Sequence, residues 1–277
     1  MISSSAVSKS PVSAEPSLLA QLIAEFLGTM LILLFGDGVV AMVMLFGKNI
    51  PGEVVNGGYT NITFCWGIAV TLGVYLTAKI SGAHLNPAVT IAVAAFRGFP
   101  LKRVIPFIVV QVAGGFCGAA LVFWNYRPQF DKVDPLRDHT AGIFTTFPAF
   151  PNLPQAGLLD QTIGTALLLL CIMAVTDARS SGPSTRIAPM LVGLTVVAIG
   201  MAFGGMHGYA INPARDFGPR LFTVVAGFSH NGLTDGTNEF WVPIVGPIVG
   251  GLIGVFVYDQ AIGRFLKENN AIAEPSV

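Results

Sequence analysis

The sequence predicts an all-α membrane protein with six transmembrane helices and two half-spanning re-entrant helices, arranged as an inverted repeat of two three-helix halves. Three observations lead to this fold class. The 277-residue chain is 53% hydrophobic and only 11% charged, whereas about a quarter of the residues in soluble domains are charged. Several apolar runs approach the length of about twenty residues that crosses a bilayer. The tripeptide Asn-Pro-Ala occurs twice, 126 positions apart (212 − 86), once in each half of the chain.

The full spans follow from the apolar runs, which are bounded by polar or Gly- and Pro-rich segments. In chain order they are expected at about 18–46, 60–80, 104–125, 158–178, 187–205 and 241–263. The first run is far too long for the core of a signal peptide, so it should remain in the membrane. The expected organisation is a disordered tail over 1–17, a membrane domain over 18–265 with repeats at about 18–125 and 158–263, and a C-terminal tail over 266–277.

Two shorter apolar segments, at about 87–98 and 213–225, each begin at an Asn-Pro-Ala. Eleven or twelve helical residues cover about 17 Å, roughly half of a ~30 Å hydrocarbon core, so neither segment can span alone. A single copy would be an ordinary helix start, because Asn caps helices well and Pro fits the first helical position. Two copies in opposite halves instead predict half-helices that meet at the midplane, with return loops that are buried or line a watery cavity.

The distribution of lysine and arginine predicts that both termini are cytoplasmic. Nine basic residues would then lie on the cytoplasmic side: Lys9, Lys79, Arg97, Lys102, Arg103, Arg179, Arg186, Arg264 and Lys267. Four would lie in outer loops: Lys48, Arg127, Lys132 and Arg137. Because each half has an odd number of spans, the second half enters the membrane in the opposite direction. Inverted repeats with broken helices at the midplane are a transport architecture.

Several other function classes are not supported. The formal net charge is zero, which gives no indication of nucleic-acid binding. The three cysteines lie in apolar runs without CxxC spacing, so we expect helix packing and neither disulfides nor a metal site. A GxGxxA match at 36–41 falls inside a span with no strand before it, and no P-loop or Ser/His/Asp arrangement points to an enzyme. An energy-coupled transporter would need a titratable or ion-binding centre where neutral asparagines are expected.

The segments SGAHLNPAVT at 81–90 and GYAINPARDFGP at 208–219 are similar to the motifs of the major intrinsic protein (aquaporin) superfamily. The chain resembles the bacterial glycerol facilitators of its aquaglyceroporin branch over about residues 18–265. The resemblance implies the aquaporin fold, a homotetramer with one pore per protomer, and no cofactor. It also implies passive conduction of glycerol, related small polyols and some water across a bacterial inner membrane, with ions and protons excluded.

The resemblance further implies roles for individual residues. The asparagines of Asn86-Pro87-Ala88 and Asn212-Pro213-Ala214 would cap the half-helices and point amide N–H groups into the pore. The outer constriction would be formed by Trp66, Gly200, Tyr209 and Arg215. Small Gly200 would leave room that a histidine fills in water-selective members. Markers of the glycerol-conducting branch match at Tyr126, Asp216, Arg220, Pro243 and Ile244.

The chemistry of a polyol agrees with these assignments. A polyol carries hydroxyls along one edge and carbons along the other, so its pore needs a polar line that faces an apolar wall. Trp66 and Tyr209 can pack the carbon edge, while Arg215 offers several donors in a fixed fork. Backbone carbonyls near His84 and Gly208 can accept hydroxyl hydrogens. Two half-helix N-termini and the arginine together oppose cations.

Glu25 in the first span is expected to hold the return loops through their N–H groups. Gln161 takes the equivalent position in the fourth span, where the family usually has a second glutamate, and an amide can still accept from loop N–H groups. Tyr209 replaces the usual phenylalanine, and its hydroxyl would narrow the pore or favour more polar polyols.

Some assignments stay open. The ring of His84 would either hold its loop or line the pore, and Tyr126 would be either a selectivity residue or an interfacial aromatic. Asp37 in the first span has no assigned role. A water-selective pore of the same fold is the main alternative to a polyol channel, and Gly200 together with Asp216 argues against it.

Overall fold

The structure is a computed structural model that describes residues 15–47, 55–179 and 186–266. Both predicted tails, 1–17 and 266–277, fall largely outside these ranges. In chain order the α-helices of the described residues are α1 (Leu18–Leu45), α2 (Gly58–Ser81), α3 (Pro87–Phe96), α4 (Leu101–Val133), α5 (Pro154–Thr176), α6 (Ala188–His207), α7 (Pro213–Val225) and α8 (Val242–Tyr258). A π-helical turn over Asp259–Gly263 extends the last helix.

Six of these helices are long and apolar enough to cross a membrane, as the sequence predicts, the last of them taken together with its flanking turns over Glu239–Leu266. The other two, α3 and α7, have 10 and 13 residues and begin at the prolines of the two Asn-Pro-Ala segments. A helix of that length covers about half of the hydrocarbon core. The predicted fold class, with six spanning helices and two half-spanning ones, is therefore confirmed.

The largest boundary error concerns the third span, which was predicted at 104–125 but forms a helix over Leu101–Val133. Hydropathy ends the prediction where charged residues begin, but a helix can continue into water. An ion pair between Arg127 and Asp131, with Nε and Oδ1 3.0 Å apart at spacing i,i+4, supports this extension.

Helix packing reproduces the inverted repeat. In the first half α1 packs against α2 and α4, and in the second half α5 packs against α6 and α8 in the same way. The half-helices cross between the halves, because α3 packs against α8 and α7 packs against α4. Both Asn-Pro-Ala segments are consequently held by helices from both repeats.

Glycine allows the closest helix pairs to form in each repeat. A Cβ atom at Gly114 of α4 would overlap the carbonyl oxygen of Phe26 on α1. A Cβ atom at Gly254 of α8 would overlap the carbonyl oxygen of Ala166 on α5. Small residues at such contacts let membrane helices approach closely, so that packing can replace the hydrophobic effect as the source of association.

Candidate functional site

The two asparagines cap the two half-helices. The side-chain oxygen of Asn86 accepts from the N–H of Ala88 at 2.8 Å. The side-chain oxygen of Asn212 accepts from the N–H groups of Ala214 and Arg215 at 3.0 and 3.2 Å. In each case proline follows in the first helical position, where its missing N–H costs nothing. The motif thus starts a helix inside the protein.

The same asparagines join the two halves. The amide nitrogen of Asn86 donates to the carbonyl of Ile211 at 2.9 Å, and that of Asn212 donates to the carbonyl of Leu85 at 2.8 Å. A primary amide carries two hydrogens, so one remains on each asparagine after this contact. Both asparagines line a cavity of about 290 Å³ at the centre of the molecule, here called the central cavity.

The return loops before the asparagines have matching, strained backbones. Left-handed φ values occur at Ala83 (52°) and Leu85 (50°), and again at Tyr209 (39°) and Ile211 (44°). Each residue of the second pair lies 126 positions after its counterpart, the same offset that separates the asparagines. Such conformations cost about 1–3 kcal/mol each in non-glycine residues and persist only where the surroundings enforce them.

Glu25 holds the first return loop in its strained conformation. Its carboxylate accepts from the N–H groups of His84 at 2.9 Å and Leu85 at 2.6 Å, and from the side chains of Ser81 and Gln111 at 2.6 and 2.7 Å. The residue is completely buried. These four donors satisfy a carboxylate that would otherwise be very costly in the membrane interior.

Gln161 contacts the second loop in a different way. Its side-chain oxygen accepts from the N–H of Ile211 at 2.8 Å, while its amide donates to the carbonyl of His207 at 2.9 Å. Gln161 thus accepts from one loop N–H where Glu25 accepts from two, and it adds a donor contact that a carboxylate cannot make. The amide therefore changes which groups of the loop are held.

Three of the predicted constriction residues line two cavities at once. Trp66, Tyr209 and Arg215 line the central cavity and also a second cavity of about 260 Å³, here called the vestibule. The guanidinium carbon of Arg215 lies 4.2 Å from the ring centroid of Trp66, and its Nη1 donates to the carbonyl of Phe144 at 3.0 Å. These three side chains therefore form the boundary between the cavities.

Gly200 contributes to this boundary indirectly. A Cβ atom at Gly200 would lie 2.9 Å from Cε2 and Cζ of Tyr209. The space in front of the glycine is thus filled by the ring of Tyr209, whereas the sequence argument expected Gly200 to leave that space to the pore. A larger residue at position 200 would push the tyrosine ring away from α6.

The central cavity has two unlike kinds of lining. Its polar part is formed by the return loops, which contribute residues 82–86 and 209–212. Much of the remaining lining is apolar and consists of Ile32, Val70, Val74, Val89, Val93, Leu168, Ile172, Met173, Val192 and Val196. The central cavity is therefore lined both by the two return loops, whose backbone is polar, and by aliphatic side chains.

Asp216 and Arg220 form a completely buried ion pair behind the vestibule, with Oδ1 and Nε 2.8 Å apart. The guanidinium also donates to the carbonyls of Asn231 and Thr146, each at 2.7 Å. The second carboxylate oxygen accepts from the backbone N–H and the hydroxyl of Thr146, each at 2.8 Å. These two predicted branch residues hold the segment that carries Thr146 in the vestibule wall.

The remaining predicted residues occupy varied positions. The ring of His84 lies near Phe99 and Phe107, its Nδ1 is 3.2 Å from the Thr90 hydroxyl, and the residue also lines the central cavity. Gly208 lines the vestibule. Three predicted branch residues lie elsewhere: Tyr126 lines a separate groove between α1 and α4, and Pro243 and Ile244 lie in the first turn of α8.

Several site residues were missed from the sequence. Tyr59 and Thr146 line the vestibule, and Gln111 bonds to both Glu25 and Thr90.

Asp37 is completely buried, and neither of its carboxylate oxygens has a hydrogen-bond partner among the described residues. Within the described ranges no group of three or more His, Cys, Asp or Glu side chains could hold a metal ion.

Comparisons with known proteins agree with this architecture. The family model of the major intrinsic proteins matches residues 13–258. The chain is 41% identical to the glycerol uptake facilitator protein of Escherichia coli K12, with 95% of each chain covered. It is 42% identical to the propanediol uptake facilitator of Citrobacter freundii, covering 91% of this chain and 96% of the relative.

Among solved structures, the X-ray structure of the aquaglyceroporin from Plasmodium falciparum matches with a TM-score of 0.80 and 29% identity. The match covers 91% of this chain and all of the other. Both the family model and the relatives thus extend over nearly the whole of the membrane domain. The chain belongs to the major intrinsic protein family.

Proposed function

We propose that this chain is a passive channel for glycerol and other small uncharged polyols, with some water permeation. The observation that carries the proposal is the central cavity, which is lined by the return loops and the two asparagines together with many aliphatic side chains. A polyol that slides through such a space keeps its hydroxyls hydrogen-bonded and its carbons against apolar side chains. The relatives named as glycerol and propanediol uptake facilitators support the same class of solute.

The boundary between the cavities fits a polyol better than water alone. Trp66 and Tyr209 offer two aromatic surfaces for the carbon edge. Arg215 has five N–H donors, one of which is used by the carbonyl of Phe144. The remaining donors are suited to the hydroxyls of a solute. A water-selective pore would gain nothing from two aromatic surfaces at this boundary.

Ions are excluded by fixed positive charge. The N-termini of α3 and α7 each carry the equivalent of about half a positive charge, and they meet at the asparagines. Arg215 adds a full charge in the first turn of α7. A cation that enters the central cavity therefore meets an electrostatic barrier and loses its hydration shell.

The asparagines also oppose proton transfer. Each retains one amide hydrogen after bonding to the opposite loop. A water molecule at the centre that accepts from both amides has its own hydrogens directed away from the asparagines. Such a water can donate to its neighbours but has no lone pair left to accept a proton from them, which interrupts a proton relay.

The assembly and location belong to the same proposal. The channel is a homotetramer with one pore per protomer, embedded in the lipid of a bacterial inner membrane, with both termini in the cytoplasm. In this orientation nine basic residues lie on the cytoplasmic side and four in the outer loops, and this excess on the inside supports the orientation. The vestibule then opens to the outside.

The deciding experiment is stopped-flow light scattering of proteoliposomes that contain the purified protein. Vesicles facing a glycerol gradient should shrink and then re-swell faster than empty vesicles. Water flow above that of empty vesicles without glycerol flow would replace the proposal with a water-selective pore. An external-thiol assay on Lys132→Cys, compared with the unmodified protein, tests the orientation, since this exposed position at the end of α4 should react from outside.

A further inference from the structure

Tyr59 lies in the first turns of α2, outside every motif in the sequence. Its hydroxyl donates to the carbonyl oxygen of Gly200 on α6 at 2.8 Å, joining residues 141 positions apart. The side chain is half exposed (49%) and lines the vestibule together with Tyr209 and Arg215. The backbone of the constriction glycine is thus tied to an aromatic ring that faces the path of a solute.

Two glycines on α6 make room for this arrangement. Gly200 and Gly204 are four residues apart and so lie on the same face of the helix. A Cβ atom at Gly204 would overlap the hydroxyl oxygen of Tyr59 and lie 3.0 Å from Cδ1 of Tyr209. The rings of the two tyrosines meet edge to face, with centroids 6.3 Å apart and planes at 83°. Both rings therefore pack on one surface of α6, and the position of each depends on the other.

The cavities give the order of contacts along the path. Trp66, Tyr209 and Arg215 line both cavities, whereas Tyr59 lines the vestibule. A solute that enters through the vestibule therefore meets Tyr59 before it reaches the constriction. The hydroxyl of Tyr59 is bonded to Gly200, which fixes the position of the ring. The ring therefore limits the space beside Tyr209.

We propose that Tyr59 is a further specificity-determining residue, which selects three-carbon polyols over longer ones by fixing the width of the vestibule beside the constriction. The inference rests on the proposed polyol function. A longer or bulkier polyol can pass only when the ring moves, which breaks the hydrogen bond to Gly200 and the ring contact with Tyr209. Breaking one such hydrogen bond slows the passage of the longer polyol by a factor of about five.

The test compares permeabilities to xylitol and glycerol in proteoliposomes that contain the wild-type protein or Tyr59→Ala. The ratio of xylitol to glycerol permeability should rise about fivefold or more in the variant. Tyr75→Ala is the matched control. Tyr75 lies on the same helix, is 51% exposed, and donates its hydroxyl to the backbone carbonyl of Arg186 beyond the other end of α6. Its removal should leave the ratio unchanged.

A second pair of variants covers the case in which Tyr59→Ala fails to fold. Tyr59→Phe removes only the hydroxyl that bonds to Gly200 and should raise the ratio, whereas Tyr75→Phe, which removes the hydroxyl that bonds to Arg186, should not. An unchanged ratio in both Tyr59→Ala and Tyr59→Phe would overturn the inference while leaving the polyol channel intact. Wild-type vesicles without glycerol flux would instead refute the proposed function itself.

Discussion

The side-chain amide of Asn212 donates a hydrogen bond to the backbone carbonyl of Leu85 at 2.8 Å, across 127 positions of the chain. Asn86 makes the reciprocal contact with Ile211. Each asparagine caps its own half-helix with oxygen and holds the opposite loop with nitrogen. One side chain thereby performs two tasks that need an acceptor and a donor on the same planar group, which only an amide supplies at this size.

Asn212→Asp should make the channel leak cations. Aspartate keeps the capping oxygen but loses the donor to Leu85, and it adds a negative charge where the two half-helices meet. A full negative charge cancels the two half-charges of the helix ends, which together amount to about one positive charge, and leaves only Arg215 to oppose cations. We expect dissipation of a potassium gradient in proteoliposomes to become faster than for the wild-type protein, measured with a potential-sensitive dye.

Asn125→Asp is the control for that variant, because Asn125 lies in the groove near the end of α4, where its side chain is exposed. The Asn125→Asp variant should dissipate the potassium gradient no faster than the wild-type protein. Equal and unchanged leak rates in both variants would mean that Arg215 alone maintains the barrier.

Glu25→Gln and Gln161→Glu, which give each return loop the side-chain type that holds the other, should both destabilise the protein. Glu25→Gln removes one of the two acceptor oxygens that hold the first loop. Gln161→Glu removes the donor to the carbonyl of His207 and leaves a carboxylate facing that oxygen. Leaving a buried polar group unsatisfied costs about 1–3 kcal/mol. Thermal unfolding in detergent should show a lower midpoint for each variant, and a raised midpoint for Gln161→Glu would contradict the geometry of the second loop.

The fold was predictable because hydropathy and the two Asn-Pro-Ala segments determine it jointly. Apolar length located the spanning helices, and the short runs after each motif could only be half-helices. The third span was misjudged because Arg127 and Asp131 end the apolar run without ending the helix. Helix formation in water depends on local pairs that a hydropathy window ignores.

The candidate site was less accessible to sequence reasoning. Motifs located the asparagines, Trp66 and Arg215, since these lie in or at a set distance from the repeated segments. Tyr59 could not be found in this way, because its role depends on a carbonyl 141 positions away and on a missing side chain at Gly204. The left-handed φ at Leu85 was also unexpected, because nothing in the side chain itself favours that region.

Arg220→Met should be strongly destabilising. The substitution leaves Asp216 buried without its partner and removes donors to the carbonyls of Asn231 and Thr146. Breaking a buried ion pair by removing one side costs about 3–5 kcal/mol. Size-exclusion chromatography and thermal unfolding should show loss of the folded protein. Arg127→Met, which removes an exposed arginine, should behave like the wild type, and equal behaviour of the two variants would contradict this account.

Acid should weaken the protein partly through Asp177. Hydrogen bonds from Arg179 hold the pKa of this carboxyl well below its usual range, just beyond the end of α5. Because the folded-state pKa is lowered, the stabilisation is complete above the unfolded-state pKa of about 3.9 and is lost as the pH falls toward the folded-state value. The thermal unfolding midpoint should therefore decrease once the pH is lowered below about 4. Asp177→Asn should show a flatter pH profile, and superimposable slopes would contradict the prediction.

Tyr209→Phe should retain or raise stability, because the hydroxyl of Tyr209 is buried and has no hydrogen-bond partner among the described residues. A buried hydroxyl without a partner is unfavourable, so its removal relieves a cost and leaves the ring packed against Gly200. The thermal midpoint in detergent should equal or exceed that of the wild type, and glycerol permeability should be at least as high. Thr63→Val provides a comparison, since the hydroxyl of that completely buried residue donates to the carbonyl of Thr60 at 2.9 Å. A lower midpoint for Tyr209→Phe would instead assign the tyrosine hydroxyl a stabilising contact in the assembled channel.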